Sequence, residues 1–391
     1  MTIPACYAAG YEAARARDPE FAEAYIRHTT LGDPAADAVV EDLAAMGHEG
    51  RWHRIIGGAI EDYEDPPEGT PESLRRLIAE ADVSPDWYDP DLAMLATRAF
   101  IRNAEVVLAA LSTGAIVEGF ATLISKSFRI RGRIMLNGVR RLRQNLLQLV
   151  EQYLPGGVEP GGDAWRLSLR IRLVHAQSRR LVRNSKVWDE EIYGLPLSAA
   201  HMALGAAAFS GRLLQHVAAL GGDFSAEERD AYVHVWRCTA STMGIPSELM
   251  FHDEASALHA FEIASLCEPP PDDDAIIMAN SIINSAPVLL GFTESDTRRR
   301  EASHYYQMSR ELIGDRLAEA FRYPKPYWFK LLPLLRAKHR VERFGAQVLP
   351  VWSRVHGLQS FNLLLKVSNL QKLELSYSLP TRLHDEESRE W

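Results

Sequence analysis

One histidine lies at the centre of a stretch that is predicted to form a single helix, Gly161 to Arg183, GGDAWRLSLRIRLVHAQSRRLVR. Arg172 lies three residues before His175 and Arg179 four residues after it, so helical spacing projects all three from one face. The apolar residues beside them predict that this helix is buried. Like charges and desolvation both favour the neutral form of an imidazole placed between two guanidinium groups. The neutral ring is the form that binds iron or zinc.

The two arginines need an anionic partner in the same place. Haem supplies an iron for the imidazole and two propionates for the arginines, so the spacing fits a haem site in which His175 is the axial ligand and Arg172 and Arg179 bind propionates. A core histidine bonded to a backbone carbonyl, with solvated arginines, fits the same spacing. For one helix taken alone, the core histidine is the commoner arrangement, and both interpretations stay open.

A second helix is predicted from 131 to 153, RGRIMLNGVRRLRQNLLQLVEQY. Arg141, Gln144 and Asn145 share one face of it, for which a solvated polar face is the usual explanation. The connection LPGGVEPGG, 154 to 162, contains four glycines, but no strand precedes it and no Lys-Ser or Lys-Thr follows. The Walker and Rossmann phosphate loops are therefore excluded, and a helix–helix connection is predicted.

The order of these pieces resembles the latex clearing proteins, which are rubber oxygenases, and the related oxygenase of mycophenolic acid biosynthesis. The pieces are GDPAADAV, the basic helix, PGGVEPGG, RLVHAQSR and AYVHVWR, and the resemblance runs from about Gly32 to about Leu266. It implies an all-α haem b protein, a single large helical domain with the haem buried between core helices. His175 occupies the place of the family's proximal iron ligand.

The sequence departs from this family at three positions. Arg141 matches the arginine of the family's Arg-x-x-x-Thr pair, but Asn145 stands where the threonine would be. Gln144 replaces a lysine that can cap the iron, and Ser125 replaces the glutamate assigned as the base of rubber cleavage. The resemblance therefore implies haem binding but not rubber cleavage. We expect Arg141, Gln144 and Asn145 to shape the oxygen side of the haem.

Composition limits what can surround these helices. The chain has 391 residues with 47% hydrophobic content, enough for a large core. We predict an N-terminal helical extension over 1–30, the haem domain over 31–380 and a polar tail over 381–391. A net charge of -9 and the lack of any nucleic-acid-binding motif exclude nucleic acid as a partner.

The expected compartment is cytoplasmic. The cysteines, Cys6, Cys238 and Cys267, are far apart and predict neither disulfides nor a zinc–thiolate site. The start, MTIPACYAAGYEAARARD, lacks the basic and apolar regions of a secretory signal. The apolar run between Glu105 and Glu118 has 12 residues, whereas a span needs about 20, so a core helix is predicted and no transmembrane segment.

Several elements are predicted to position the site. Asp33 caps a helix that begins at Pro34 and stops at Gly47, and Ser225 with Glu228 forms a capping box. Gly114 and Gly119 would allow close approach of another helix or of a cofactor, and His201 and His216 are predicted to be structural. The segment EPPPDDD, 268–274, is predicted to be a solvated linker. Pro287 is predicted to end the helix that follows this linker.

One late segment has two interpretations. PKPYWFKLLPLLRAKHR has an aromatic start and a basic end, as in a segment that lies on a membrane surface. A helix packed on the domain is the favoured interpretation.

The function we expect is that of a haem b-dependent oxygenase that uses O2 on an apolar small molecule, such as an isoprenoid or a lipid. A non-catalytic haem-binding protein, or a helical interaction scaffold that has lost the oxygenase chemistry, is the alternative. A di-iron carboxylate bundle would need two Glu-x-x-His motifs, and the chain has one, Glu301 to His304.

Overall fold

Every segment of regular secondary structure in the computed structural model is helical; the structure describes residues 2–47, 51–130, 134–348 and 379–380. The predicted all-α fold is confirmed, and the helices form a single domain. In chain order, the α-helices are α1 Ala8–Arg15, α2 Pro19–His28, α3 Pro34–Met46, α4 Trp52–Glu61, α5 Glu72–Ala81, α6 Pro90–Ala110, α7 Ile116–Gly119, α8 Ile124–Ile130, α9 Ile134–Gln152, α10 Asp163–Arg183, α11 Glu190–Tyr193, α12 Ala199–Ala207, α13 Leu213–Leu220, α14 Ala226–Thr242, α15 Glu254–Cys267, α16 Asp273–Leu289, α17 Ser295–Ile313, α18 Asp315–Ala320 and α19 Leu332–Val348.

Capping residues set the ends of α3 and α14 as predicted. The Asp33 side chain accepts a backbone hydrogen bond in the first turn of α3, Pro34 is the first helical residue, and Gly47 follows the last with a φ of 68°. Ser225 and Glu228 form the capping box of α14. These caps satisfy N–H groups that the first turn of a helix leaves without partners.

The segment 268–274 is not the solvated linker that its composition predicts. Glu268 is buried and accepts a hydrogen bond from the Tyr25 hydroxyl at 2.7 Å. Asp274 is also buried, and its carboxylate lies 3.0 Å from the Lys126 ammonium. Partners from distant parts of the chain therefore hold both ends of an acidic, proline-rich segment inside the protein.

Helix α16 continues past the residue at which the sequence predicts its end. Pro287 lies inside the helix, which runs to Leu289. A proline removes one backbone donor, and in the last turn of a helix this removes a single hydrogen bond without breaking the turns before it.

The core consists of two neighbouring groups of buried apolar side chains, and α10 contributes to the boundary between them. The larger group includes residues of α1, α2, α6, α9 and α12 to α16. The smaller group combines α3, α4 and α5 with one face of α10, formed by Trp165, Leu169, Leu173 and Ala176. Because α10 also contacts α9 and α14, the helix that carries His175 connects the two groups.

The far end of the described chain also reaches α10. The Gln177 amide donates a hydrogen bond to the Pro380 carbonyl oxygen at 2.7 Å. Leu379 is buried in the smaller group of apolar side chains. Residues separated by 203 positions in sequence therefore meet on this helix.

Residues 1–30, predicted as an extension, contact the larger group directly. Helices α1 and α2 pack against α15. The Tyr7 hydroxyl lies 3.0 Å from Nε2 of His201, which is fully buried and also contacts Ser198. His201 is thus a core histidine, as expected.

The continuous helical stretch Pro90–Gly119 comprises α6, a π-helical turn over Leu111–Ala115, and α7. Of the described helices, it alone is long and apolar enough to cross a membrane, but 78% of its most apolar window is buried inside the protein. The predicted core helix is therefore observed.

Gly114 lies against the imidazole of His216, so the element that approaches it is a helix, α13. His216 Nε2 lies 2.8 Å from the Glu118 carboxylate, and Arg212 donates to the same carboxylate at 2.6 Å. Burial by itself would raise the pKa of Glu118, but its interactions with His216 and the Arg212 guanidinium outweigh burial and lower that pKa to about 2. This buried ionic group accounts for His216 as a structural residue.

We expect Gly114→Ala to lower the free energy of unfolding by roughly 1–3 kcal/mol, because the added methyl group would overpack the core. Its Cβ would lie 2.5 Å from Cδ2 of His216. Gly119→Ala is the matched control, since a Cβ there meets no atom within 4 Å. The control should be neutral or stabilise by up to about 1 kcal/mol, the helix preference of alanine over glycine. Urea unfolding measures both, and equal effects would contradict this packing.

Candidate functional site

A short connection between α9 and α10 positions the histidine helix. Gly156 and Gly161 have φ values of 70° and 76°, a region that glycine adopts without steric cost. A Cβ on Gly162 would lie 2.2 Å from the Gly156 carbonyl oxygen. The glycines therefore form the predicted helix–helix connection, after which α10 packs against α9.

Arg172 reaches from α10 to the start of α3. Its Nε and Nη2 donate to the two carboxylate oxygens of Asp33 at 2.5 and 3.0 Å, and its Nη1 donates to the Thr242 carbonyl at 3.0 Å. The side chains of Arg172 and Asp33 are 11% and 14% exposed. A bidentate pair of this kind fixes the orientation of the guanidinium group.

Arg179 makes a second contact of the same type one turn further along α3. Its Nε and Nη2 donate to Oδ1 of Asp37 at 3.0 and 2.7 Å, and its Nη1 donates to the Leu197 carbonyl at 2.5 Å. The Arg179 side chain is 4% exposed. Arg172, Arg179, Asp33 and Asp37 thus form an arginine–aspartate clamp that holds α3 on α10.

The sequence contained a signal for this clamp that the interpretation of each residue by itself missed. The local sequence pattern predicts Asp33 only as a helix cap and predicts no contact for Asp37. Residues four or seven positions apart project from the same side of a helix. Asp33 and Asp37 are four residues apart, and Arg172 and Arg179 are seven apart. These two spacings together could have predicted two ion pairs between the helices.

His175 lies between the two arginines along α10, and its side chain is partly exposed. The side chains of Ile171, Ser178 and Val182 on the same helix are buried. Helix geometry directs the imidazole to the flank of the row formed by the two arginines. The three residues that were predicted to share one face therefore lie close along α10, but the guanidinium groups face α3.

The polar residues of α9 are partly exposed as well. The Arg141 guanidinium lies over the Phe128 ring, 4.0 Å from its centre, which is a cation–π contact. The Asn145 amide donates to the Arg141 carbonyl oxygen at 2.8 Å. Ser125 is buried, and its hydroxyl donates to a backbone carbonyl at 2.8 Å. That serine is engaged as a hydrogen-bond donor and is no base.

The structure places all six predicted site residues on two helices that contact each other. Arg141, Gln144 and Asn145 lie on α9, and His175 lies with the two clamp arginines on α10. The clamp already neutralises both guanidinium groups. The binding of propionates by Arg172 and Arg179 stays a prediction, and it requires a propionate to share or replace an aspartate.

The donor set at His175 fits a haem iron. The porphyrin supplies four nitrogen ligands, so the protein needs to supply only one imidazole. Among the residues that the structure describes, no three His, Cys, Asp or Glu side chains converge to hold a metal ion. A partly exposed histidine on a largely buried helix that packs against α9 is compatible with haem bound beside these two helices.

Comparison with known proteins identifies the family. The family profile described as "ER-bound oxygenase mpaB/B'/Rubber oxygenase, catalytic domain" matches residues 89–344, about two thirds of the chain. The chain belongs to this oxygenase family. The predicted resemblance is confirmed, and the matched segment contains both α9 and α10.

Two relatives show how far the likeness to this family extends. The rubber oxygenase of Streptomyces sp. (strain K30) is 24% identical over 242 residues, which are 59% of this chain and 55% of the relative. The chain thus spans about half the length of that relative. A structure of latex clearing protein in the closed state matches with a TM-score of 0.66 at 16% identity, over 89% of this chain and 92% of the other. This match shows a shared fold.

Arg179→Ala should lower the free energy of unfolding of the haem-free protein by roughly 1–3 kcal/mol. The value lies below the range for fully buried pairs because the Asp37 side chain is 37% exposed. Arg180→Ala is the matched control. Arg180 pairs with Glu41, which lies on α3 like Asp37, but these two side chains are 28% and 66% exposed. The control substitution should therefore lower the free energy of unfolding by at most about 1 kcal/mol. Urea unfolding gives both values. A control effect as large as that of Arg179→Ala would contradict the clamp.

Proposed function

We propose that this chain is a haem b-dependent oxygenase that uses O2 on an apolar small molecule such as an isoprenoid or a lipid. The observation that carries the proposal is the position of His175, on a helix packed against α9, in a member of an oxygenase family. The relative from Streptomyces is named for rubber, an apolar polymer, which supports an apolar class of substrate.

Bound haem would supply the iron chemistry that activates O2. The protein residues would position it. His175 would ligate the iron from α10, whose orientation relative to α3 is fixed by the clamp, and sites on rigid helices hold their geometry better than sites on loops. Arg141, oriented by its contact with Phe128, would offer N–H donors on the oxygen side.

Apolar residues of α9 would keep water away from the same region. Leu142, Leu146 and Leu149 lie on this helix and are nearly fully buried. These leucines belong to the larger group of core side chains, so apolar side chains lie next to the polar residues of α9. Exclusion of water strengthens the interactions of the polar groups that remain.

Ser125 on α8 and Gln144 on α9 favour a chemistry other than polymer cleavage. Ser125 donates a hydrogen bond to the backbone, and a hydroxyl is not an effective base near neutral pH. The Gln144 amide is a far poorer iron ligand than a lysine amine. We therefore propose a small apolar substrate and little or no cleavage of polyisoprene.

A haem-binding protein without turnover, or a helical scaffold, is the second candidate, because three positions on the oxygen side, Ser125, Gln144 and Asn145, differ from the family pattern. Optical spectra separate the candidates. An oxygenase should purify with a Soret band, bind carbon monoxide after reduction and consume O2 with a substrate. A haem-binding protein without turnover should show the Soret band and bind carbon monoxide but should not consume O2. A scaffold without haem should be colourless.

His175→Ala should abolish haem retention or leave it weak and spectrally altered, because the variant lacks the proposed axial ligand. The measurement is the Soret absorbance per polypeptide after gel filtration of protein expressed with added haem. His252→Ala, at an exposed histidine, is the control and should retain haem fully. Unchanged absorbance and ligand-field bands in His175→Ala would exclude His175 as the ligand.

Added imidazole should bind the haem iron, because Gln144 stands at the position of the family's capping lysine. Gln144→Lys combined with Ser125→Glu should convert part of the iron to a low-spin, lysine-ligated form at raised pH, where the amine is deprotonated. Gln148→Lys combined with Ser125→Glu, with the lysine one turn further along α9, is the control and should not. A low-spin, imidazole-resistant spectrum in the unmodified protein would show that another side chain caps the iron.

A further inference from the structure

Helix α19 packs on the protein through one side only. Leu332 is buried at its start, and the helix contacts α13. The Arg343 guanidinium donates to the Gly221 carbonyl oxygen just after α13, and the Arg336 backbone lies close to Gly221. At 100° per residue, Leu332, His339 and Arg343 project within about 40° of one another. This is the side that faces the domain.

The opposite side of α19 is an exposed apolar stripe. Its large residues are 57–67% exposed, and they are Leu334, Val341, Phe344 and Val348. Their spacings of seven, three and four residues place them on one face of a helix, about 180° from the packed side. Scattered exposed apolar residues need no explanation, but a contiguous apolar face usually marks an interaction site.

The loop before α19 extends this surface. Trp328 is 94% exposed, and the neighbouring Phe329 is also exposed. The loop is held by α17, because the Tyr327 amide donates to Gln307 and the Leu331 and Leu332 amides donate to Glu311, at 2.6–3.0 Å. An indole presented to solvent from an anchored loop is poorly explained by core packing. We name the stripe together with Trp328 and Phe329 the α19 surface.

The charge around the α19 surface is opposite to that of the chain. Residues 324–348 contain six lysines and arginines and one acidic residue, a formal charge of +5, while the whole chain carries -9. On the helix, Lys338 and Arg340 flank the stripe on its two sides. Among the described residues, Lys325, Lys330 and Arg340 form no ion pair. These cations are available to an external anionic partner.

We propose that the α19 surface docks on the face of a lipid bilayer that contains anionic headgroups. An apolar stripe with basic flanks and aromatic residues at one end is the pattern of a helix that lies in the membrane interface. The apolar stripe would enter the boundary between headgroups and acyl chains, and Trp328 would lie at headgroup level, where indole rings are favoured. Lysines and arginines at the flanks would meet anionic lipid.

A second copy of the chain fits this surface less well. A two-fold dimer brings the same patch of both copies together. The basic flanks of one copy would then lie beside the basic flanks of the other, and like charges in contact are unfavourable. A bilayer supplies both the apolar interior and the negative charge that the α19 surface requires.

The test is sedimentation of the full chain with vesicles of phosphatidylcholine mixed with phosphatidylserine, and with vesicles of phosphatidylcholine alone. We expect binding to the anionic vesicles that weakens as salt is added. Lys330→Gln with Arg340→Gln should weaken binding about fivefold for each charge removed. Val341→Glu with Phe344→Glu should abolish it, because carboxylates would enter the apolar layer.

Lys186→Gln and Val187→Glu are the matched controls. Both residues lie in the loop between α10 and α11, and Val187 is 66% exposed against 62% for Val341. Their substitution should leave vesicle binding unchanged. Circular dichroism melting checks that every variant is folded, which we expect because exposed substitutions alter stability little.

Two results would overturn the proposal. One is the absence of sedimentation with anionic vesicles, or a loss of binding in the controls equal to that in the α19 variants. The other is a concentration-dependent dimer in analytical ultracentrifugation without lipid that Val341→Glu with Phe344→Glu dissociates. That dimer would assign the α19 surface to an interface between copies of the chain.

Discussion

Two guanidinium groups that are largely removed from water determine how the helices around the candidate site are arranged. A charge taken out of water must meet a counter-charge in good geometry. Arg172 and Arg179 meet Asp33 and Asp37, and Asp33 is also the cap of α3. One carboxylate therefore both begins a helix and holds it on another. Changing any member of the clamp leaves a charge without its partner and weakens the attachment of α3 to the helix that carries His175, which the apolar contacts between these helices also maintain.

The same rule appears elsewhere in the core. Glu118 is buried with Arg212 and His216, where two elements with π-helical turns contact each other. Glu268 is buried with hydroxyl and imidazole partners. Each of these acids pairs with groups on an element far away in sequence. Such contacts are directional, so they fix which helices are neighbours more narrowly than apolar packing does.

Much of the fold could be predicted because its signals are local. The caps at Asp33 and Ser225 and the glycines before α10 act through neighbouring backbone groups. The acids of 268–274 could not be placed from the sequence, because their partners are more than a hundred residues away. The prediction that Pro287 ends α16 is wrong because the energetic cost of a proline depends on its distance from the end of the helix, and tertiary packing decides where that end lies.

The candidate site was predictable to a similar degree. The family resemblance and helical spacing placed His175 and the α9 residues on two helices, and the structure packs these helices together. Spacing alone could not tell which anion the arginines meet. Carboxylates of α3 and carboxylates of a cofactor satisfy the same guanidinium geometry, and only the three-dimensional arrangement shows that aspartates are within reach.

The contact between Gln177 and Pro380 has a consequence for the order of events during synthesis. Translation adds residues at about 5–20 per second, so the 203 positions between them correspond to roughly 10–40 s. Throughout that interval, the residues of α10 have been synthesised, but Leu379 and Pro380, which contact them in the folded protein, have not. The packing around the histidine helix is therefore completed only after translation has passed residue 380. A point mutation near residue 380 would change the packing of α10, a helix whose residues are synthesised much earlier.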